Sequence, residues 1–210
     1  MTSETKYPPY IIYRLLTGVA WLISKSLWFV RFEGVENIPK AETGGLLIAA
    51  NHQTYVDPVW ISIPLRRKMQ YLAYDKAFEW KFVGWLIRKL GAFPVKHPID
   101  TSTTFVKRAL RALRDGAGLI IFPEGAREFA DGEMFEFKNG ICHIAERAGV
   151  PILPATISGG NRIWPQGQKY PSLFRRVTIR FHEPMSVVKG EDIDAATERL
   201  RRIIASGTTS

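Results

Sequence analysis

The chain of 210 residues has one cysteine, Cys142, and four histidines. A single thiol cannot build an intramolecular disulfide framework, and the scattered histidines lack the ligand spacing of a structural zinc site. A reducing compartment is the natural setting. There is no internal repeat, no low-complexity tract and no Pro- or Gly-rich linker, so the only boundary suggested is the end of an N-terminal helical segment near Val30. The G-x-S-x-G nucleophile elbow is missing too, which removes the usual route to a serine-linked intermediate. Acids are scarce: 20 Asp and Glu face 29 Lys and Arg, for a net charge of +9. Such a chain suits anionic partners, whether nucleic acid, an acidic lipid surface or a phosphate-bearing substrate. A nucleic-acid-binding module is the weaker of these readings, because the basic residues are spread along the chain and no helix-turn-helix or RNA-binding signature occurs.

What is present is enough apolar residue, 46%, for one packed domain. The most hydrophobic stretch is 10–30, which at about 20 residues is near the length of a bilayer span. No small-x-small cleavage site follows, since Ser24-Lys25-Ser26-Leu27 runs straight into Trp28 and Phe29, so the segment is expected to be retained. On a helical wheel Arg14, Thr17, Gly18, Ser24 and Lys25 form one narrow strip, while Ile11, Ile12, Leu15, Leu16, Leu22, Ile23 and Phe29 cover the rest. This pattern suggests a helix lying in a membrane interface, or a helical pair dipping into one leaflet, with Tyr10, Tyr13, Trp21 and Trp28 at headgroup depth. A buried core helix and a true single span are the alternatives. The expected division is an N-terminal membrane-associated segment over 1–30 and one domain over 31–210.

Beyond residue 30, short apolar runs alternate with helical patterns, the signature of an α/β domain with a largely parallel sheet flanked by helices. Strands are expected at 29–32, 46–50, 69–73, 92–95, 119–122, 152–157 and 177–181, and helices at 58–65, 76–90, 101–114, 137–148 and 192–205. In the helix from Thr101, Phe105, Val106, Ala109, Leu110 and Leu113 should face inward, leaving Lys107, Arg108, Arg111 and Arg114 solvated.

Ligands of open parallel sheets bind beyond the carboxyl ends of strands, so polar residues following apolar runs come first. The run 46–50 is followed by Asn51, His52, Gln53, Thr54, Tyr55, Val56, Asp57 and Pro58. Asp57 reads as a helix N-cap and Pro58 as the first helical residue, which leaves His52 on the loop. Five residues across such a loop can return the Asp57 carboxylate to the imidazole Nδ1, freeing Nε2 to take a proton. Taken alone, a capping aspartate and an ordinary loop histidine explain the same residues. The run 119–122 leads into Pro123, Glu124, Gly125, Ala126 and Arg127. Here Gly125 allows a sharp turn and Arg127 offers a planar fork for phosphate or carboxylate, with Lys138 a further cation nearby in sequence. A charged turn and a surface lysine are the simpler alternatives.

The combination is more specific than its parts. Asn51-His52-x-x-x-x-Asp57, Gly91-Ala92-Phe93-Pro94-Val95, Phe122-Pro123-Glu124-Gly125-x-Arg127 and Val150-Pro151-Ile152-Leu153-Pro154 occur in that order. Over about 32–159 the chain thereby resembles the glycerolipid acyltransferases of the lysophosphatidic acid acyltransferase (PlsC-like) type. The resemblance implies that His52 and Asp57 are catalytic, that Glu124, Gly125 and Arg127 belong to the block binding the glycerol-phosphate end, and that 150–154 supports the site. The N-terminal segment likewise resembles the membrane-embedded helical motif of bacterial members. Two blocks depart from the family pattern. Lys96 and His97 stand where an arginine usually follows, and Ala126 and Glu128 replace the usual Thr and Ser. Lys96 can grip a phosphate only as a point charge. Other acceptors, a lyso-aminolipid or a lysophospholipid with a larger headgroup, therefore stay open beside 1-acylglycerol-3-phosphate.

The implied activity is transfer of a fatty acyl group from a thioester, on coenzyme A or acyl carrier protein, to a lysophospholipid hydroxyl, with His52 as general base. The implied partners are a phospholipid membrane surface, the lysophospholipid acceptor and the thioester donor, with no nucleic acid, cofactor or metal. The expected location is the cytoplasmic face of the inner membrane, held monotopically or peripherally. Cys142, within the apolar pattern of Ile141, Ile144 and Ala145, reads as a packed thiol and His143 as a helix-surface residue.

Overall fold

The structure, a computed structural model, describes residues 9–74, 79, 81, 84, 92–95, 103–127, 133–165 and 167–208. Lys96, His97 and most of the helix expected at 76–90 lie outside the described residues.

A seven-stranded sheet forms the frame: β1 (Arg31–Glu33), β2 (Leu46–Ala50), β3 (Met69–Tyr74), β4 (Ala92–Val95), β5 (Gly118–Ile121), β6 (Ile152–Ser158) and β7 (Thr178–Phe181). Their order is β1-β7-β6-β2-β5-β3-β4. All neighbours run parallel except β6 and β7. The largely parallel α/β expectation is met. β2 sits at the centre, with Ile48 opposite both Ile120 and Leu153, and is buried from end to end. That explains its unbroken apolar run: a strand covered on both faces has no solvent side to mark with polar residues. Pro94 is tolerated because β4 is an edge strand, where a missing N–H costs little.

The helices are α1 (Tyr10–Trp28), α2 (Asp57–Ser62), α3 (Thr103–Arg114), α4 (Gly140–Ala148) and α5 (Ile193–Ser206). Alternation along β2 divides the core. Leu46, Ile48 and Ala50 join Trp60 and Ile61 of α2, while Leu47 and Ala49 join Ala109 and Leu113 of α3, Ile144 of α4 and Leu200 of α5. On α3, Ala109, Leu110 and Leu113 are buried, and Lys107, Arg108, Arg111 and Arg114 are exposed as the pattern required. Cys142 is fully buried, and burial raises its thiol pKa, which suits packing better than nucleophilic chemistry.

Two local departures have clear causes. The first strand begins at Arg31 rather than Phe29, because Phe29 ends α1 in the left-handed region, at φ 45° and ψ 40°. Asp57 opens α2 as its first helical residue, following Val56 at the N-cap, and its side chain turns back into the preceding loop. It is therefore not the N-cap expected.

The larger correction concerns α1. Tyr13, Thr17, Ser24 and Trp28 form its buried face. The Tyr13 hydroxyl donates to the Ser62 carbonyl at 3.1 Å, and Trp60 Nε1 donates to Ser24 Oγ at 3.2 Å. Trp28 packs edge-on against Trp60, with ring centroids 5.8 Å apart. Tyr13 and Trp28 thus belong to the core and do not sit at headgroup depth. Thr17 and Ser24, read from the wheel as part of a polar strip, face the domain. The outward face carries Ile11, Leu15, Val19 and Leu22 at 74%, 66%, 54% and 58% exposure. Among the described residues no helix is long and apolar enough to cross a membrane.

Candidate active site

β2 and β5 are neighbours, with Ala49 opposite Ile121, so the loops leaving their carboxyl ends emerge side by side. Both candidate blocks lie on these loops. Asn51 anchors the first: its side chain exchanges two hydrogen bonds with the backbone of Ile157 in β6, at 2.9 and 2.8 Å. Gln53 Oε1 accepts the Gly160 N–H at 2.8 Å, fixing the same loop to the chain beyond β6. His52 is held between two such anchors.

His52 Nδ1 lies 2.9 Å from Asp57 Oδ2. The same oxygen accepts the backbone N–H groups of Gln53 and Thr54 at 2.6 and 2.7 Å, and Oδ1 accepts the Thr54 hydroxyl at 2.7 Å. Every partner with a fixed role is a donor, so the fully buried carboxylate serves as an acceptor on both oxygens and the histidine proton belongs on Nδ1. Nε2 then carries the lone pair, and among the described residues nothing hydrogen-bonds to it. The imidazole is stacked on Phe122 at 4.0 Å with an interplanar angle of 16°, which fixes its plane. The His52 side chain keeps 20% exposure against none for Asp57. The result is a reachable base with a hidden orienting partner.

Glu124 is 5% exposed and faces inward. Its Oε1 accepts the His52 backbone N–H and its Oε2 accepts that of Phe135, each at 2.8 Å. Gly125, at φ 74°, makes the turn that swings the following residues away. Arg127 lies with its guanidinium carbon 3.7 Å from the centre of the Tyr55 ring. Tyr55 meets Trp164 edge-on at 5.4 Å. His52, Asp57, Glu124 and Arg127 therefore come together around one pair of loops, with Arg127 joined to the His52 loop through Tyr55. Lys138 is exposed, and its backbone N–H donates to the Pro123 carbonyl at 2.9 Å, which ties 138 to the same turn. Lys96 lies outside the described residues. Sequence reading passed over Phe122, Thr54, Tyr55 and Trp164 as site residues. Thr54 could have been found from its position three residues before Asp57, a spacing that favours side chain to backbone capture. Trp164 carries no local signal, since the fold alone brings it to Tyr55. Among the described residues no group of three or more His, Cys, Asp or Glu side chains gathers as a metal site.

The chain matches known proteins over this region. A 1-acyl-sn-glycerol-3-phosphate acyltransferase of Arabidopsis thaliana chloroplasts is 28% identical over 177 residues, covering 84% of this chain and 48% of that protein. The Brassica napus chloroplast protein of the same name is 29% identical over 174 residues, covering 82% and 49%. This chain thus spans about half the length of these plant relatives. A Streptococcus pneumoniae protein named 1-acyl-sn-glycerol-3-phosphate acyltransferase is 27% identical over 202 residues, covering 91% of this chain and 71% of its own. In three dimensions the chain is similar to the crystal structure of the 1-acyl-sn-glycerophosphate (LPA) acyltransferase PlsC from Thermotoga maritima. The TM-score is 0.73 at 25% sequence identity, over 95% of this chain and 78% of that one. The family model described as Acyltransferase matches residues 29–158, a stretch that holds His52, Asp57, Glu124 and Arg127 together, and the chain belongs to that acyltransferase family.

Proposed function

We propose that this chain transfers a fatty acyl group from a thioester donor, acyl-CoA or acyl carrier protein, to the free hydroxyl of 1-acylglycerol-3-phosphate. The observation that carries the reading is the His52 to Asp57 contact at 2.9 Å beyond the end of β2, in an imidazole that keeps 20% exposure. Relatives named as acyltransferases for this acceptor support the substrate.

An alcohol is a weak nucleophile at neutral pH. His52 Nε2 takes the hydroxyl proton as the oxygen attacks the thioester carbonyl, and Asp57 stabilises the imidazolium that forms. Collapse of the tetrahedral intermediate breaks the C–S bond, and the proton on Nε2 passes to the departing thiolate. One ester bond is made, one thioester bond is lost and His52 returns to its starting state. Arg127, held flat by Tyr55, is the cation for the acceptor phosphate. Lys96 and Lys138 are assigned to the same anionic end, and Glu124 acts through the backbone of His52.

The acceptor lives in a bilayer, and α1 suits a place on its surface. Thr17 and Ser24 face the domain while Ile11, Leu15, Val19 and Leu22 face outward, the reverse of a helix made for water. The enzyme is assigned to the cytoplasmic face of the inner membrane, on the side of the soluble thioesters.

Thiol release from acyl-CoA or acyl carrier protein, measured with lysophosphatidic acid for wild type and His52→Ala, tests the proposal. A loss of about 10³-fold or more is expected in the variant. Unchanged turnover would remove His52 as the base. The replacement of the family arginine by Lys96-His97 favours one second reading, a phosphate-free or larger-headgroup lysolipid. A panel of acceptors with one donor separates the two.

A further inference from the structure

The chain between β6 and β7, residues 159–177, connects two places that the sequence leaves far apart. At one end it borders the candidate active site, where the Gly160 N–H donates to Gln53 and Trp164 meets Tyr55. At the other it is fastened to the end of α1. Trp28 Nε1 donates to the Ser172 carbonyl at 2.9 Å, the Phe174 N–H donates to the Leu27 carbonyl at 2.6 Å, and the Phe29 and Phe174 rings lie 6.4 Å apart. Within the connection the Ser172 N–H donates to the Ile163 carbonyl at 2.7 Å, a backbone bond that joins the two ends at a residue whose side chain is buried.

The fastened end is made of residues that a water-facing loop would avoid. Tyr170, Leu173 and Phe174 are 68%, 46% and 67% exposed, and Phe29 beside them is 46% exposed. Phe29 and Phe174 are also, among the described residues, the non-glycine residues with positive φ, at 45° and 56°. Glycine or asparagine fills such positions at little cost, whereas a bulky aromatic there is a strained outlier. Strain of this kind persists where the side chain serves something other than stability. In water these two rings contribute little, since Phe174 is largely exposed and Phe29 only half-buried.

Charge identifies the surface that would receive them. From 159 to 182 the chain has no Asp or Glu and carries Arg162, Lys169, Arg175, Arg176 and Arg180. From 5 to 32 it again has no acid and carries Lys6, Arg14, Lys25 and Arg31. Arg31 and Arg180 pair with Glu33, while Lys169, Arg175 and Arg176 are exposed beside Tyr170 and Phe174. Exposed aromatics flanked by cations match the boundary between acyl chains and anionic headgroups.

We propose that residues 169–176, together with Phe29, form a second docking element for an anionic phospholipid bilayer. Phe29, Leu173 and Phe174 enter the headgroup boundary, and Lys169, Arg175 and Arg176 contact the headgroups. This rests on the proposed seating of α1 on the membrane and extends it: because the same connection reaches Tyr55 and Trp164, docking sets the mouth of the site against the lipid surface.

Sedimentation of the full chain with vesicles of phosphatidylcholine, with and without phosphatidylglycerol, tests it. Phe174→Asn and Phe29→Asn keep a residue that accepts the left-handed backbone. Each is expected to weaken vesicle binding by about tenfold while the melting temperature stays level or rises. Lys169→Gln/Arg175→Gln/Arg176→Gln is expected to remove most of the preference for phosphatidylglycerol. Leu15→Gln/Leu22→Gln, on α1, should weaken binding independently. If wild type binds vesicles and the α1 variant does not, while both Asn variants and the triple variant bind as wild type, the second element is overturned and α1 docking stands. If wild type binds no vesicle, the membrane reading itself falls. Self-association without lipid that Phe174→Asn abolishes would assign the patch to a second copy and overturn the proposal.

Discussion

Glu124 grips His52 by its backbone, its Oε1 accepting the His52 N–H at 2.8 Å while Oε2 takes the Phe135 N–H at the same distance. A carboxylate that reads in the sequence as a charged turn thus fastens the loop after β2 to the loop after β5. Its charge is used inside the protein, where two oxygens satisfy two amides that would otherwise need water. Glu124→Gln tests this arrangement, since the amide leaves one of those N–H groups facing another donor. The variant is expected to lose about 1–3 kcal/mol of stability in urea unfolding, the usual cost of a buried group without a partner. Turnover should also fall, by about tenfold or more, because the base is displaced. Full stability together with a raised KM for acceptor would instead make Glu124 a substrate ligand.

Asp57→Asn separates charge from geometry at the same loop. The amide oxygen can replace Oδ2, where three N–H groups converge, and its NH₂ can face the Thr54 hydroxyl, which is able to accept. The loop should therefore survive with little change in melting temperature. What is lost is the negative charge that stabilises the imidazolium, and kcat is expected to drop by about 10³ to 10⁴, as for the aspartate of a serine protease triad. A variant that unfolds early yet keeps normal kcat would show Asp57 to be a structural anchor only.

The sequence and the structure agree best where physics is local. Residues 46–50 and 92–95 end where the apolar runs end, and His52 meets Asp57 because a short loop leaves them within reach. Agreement fails where a distant partner decides the outcome. Tyr13 and Trp28 have an apolar body and a polar tip, which suits a headgroup layer or a core equally. Ser62, Trp60 and Ser172, all remote in sequence, supply the contacts that put them in the core. Thr17 and Ser24 look like the wet side of α1 only if water is assumed to lie on the polar side. Trp164 reaches Tyr55 because it follows β6, a strand remote in sequence that pairs directly with β2, so no local pattern could announce it.

The Tyr55 and Arg127 stack predicts how the acceptor is held. Tyr55 is 57% exposed, so the cation–π contact at 3.7 Å is a modest one, worth about 0.5–1 kcal/mol. Tyr55→Phe keeps the ring and should leave kinetics near wild type. Tyr55→Ala should raise KM for lysophosphatidic acid by about threefold to fivefold at nearly constant kcat, because Arg127 loses its seat rather than its charge. Steady-state kinetics with a phosphate-free lysolipid supplies the contrast, since that acceptor should not notice the change. Equal losses on both acceptors would make Tyr55 part of the general wall of the site.

His182 gives the fold a defined response to acid. Thr156 Oγ1 donates to the Ile204 carbonyl at 2.6 Å, so at 2.8 Å from His182 Nε2 it can only accept, which puts a proton on that nitrogen. Burial and, after it, the nearby Arg180 hold the His182 pKa below its ordinary value of 6.5. A lowered pKa means the unfolded chain binds the second proton first. Stability is then intact above about pH 6.5 and declines as pH falls below it, until the folded state also takes the proton. His182→Gln offers an amide N–H to Thr156 without a titrating group. Between pH 7 and 5 wild type is expected to lose more melting temperature than the variant, by about a degree or two given that the ring is only half-buried. Identical slopes for the two proteins would mean that carboxylates alone govern the acid limb.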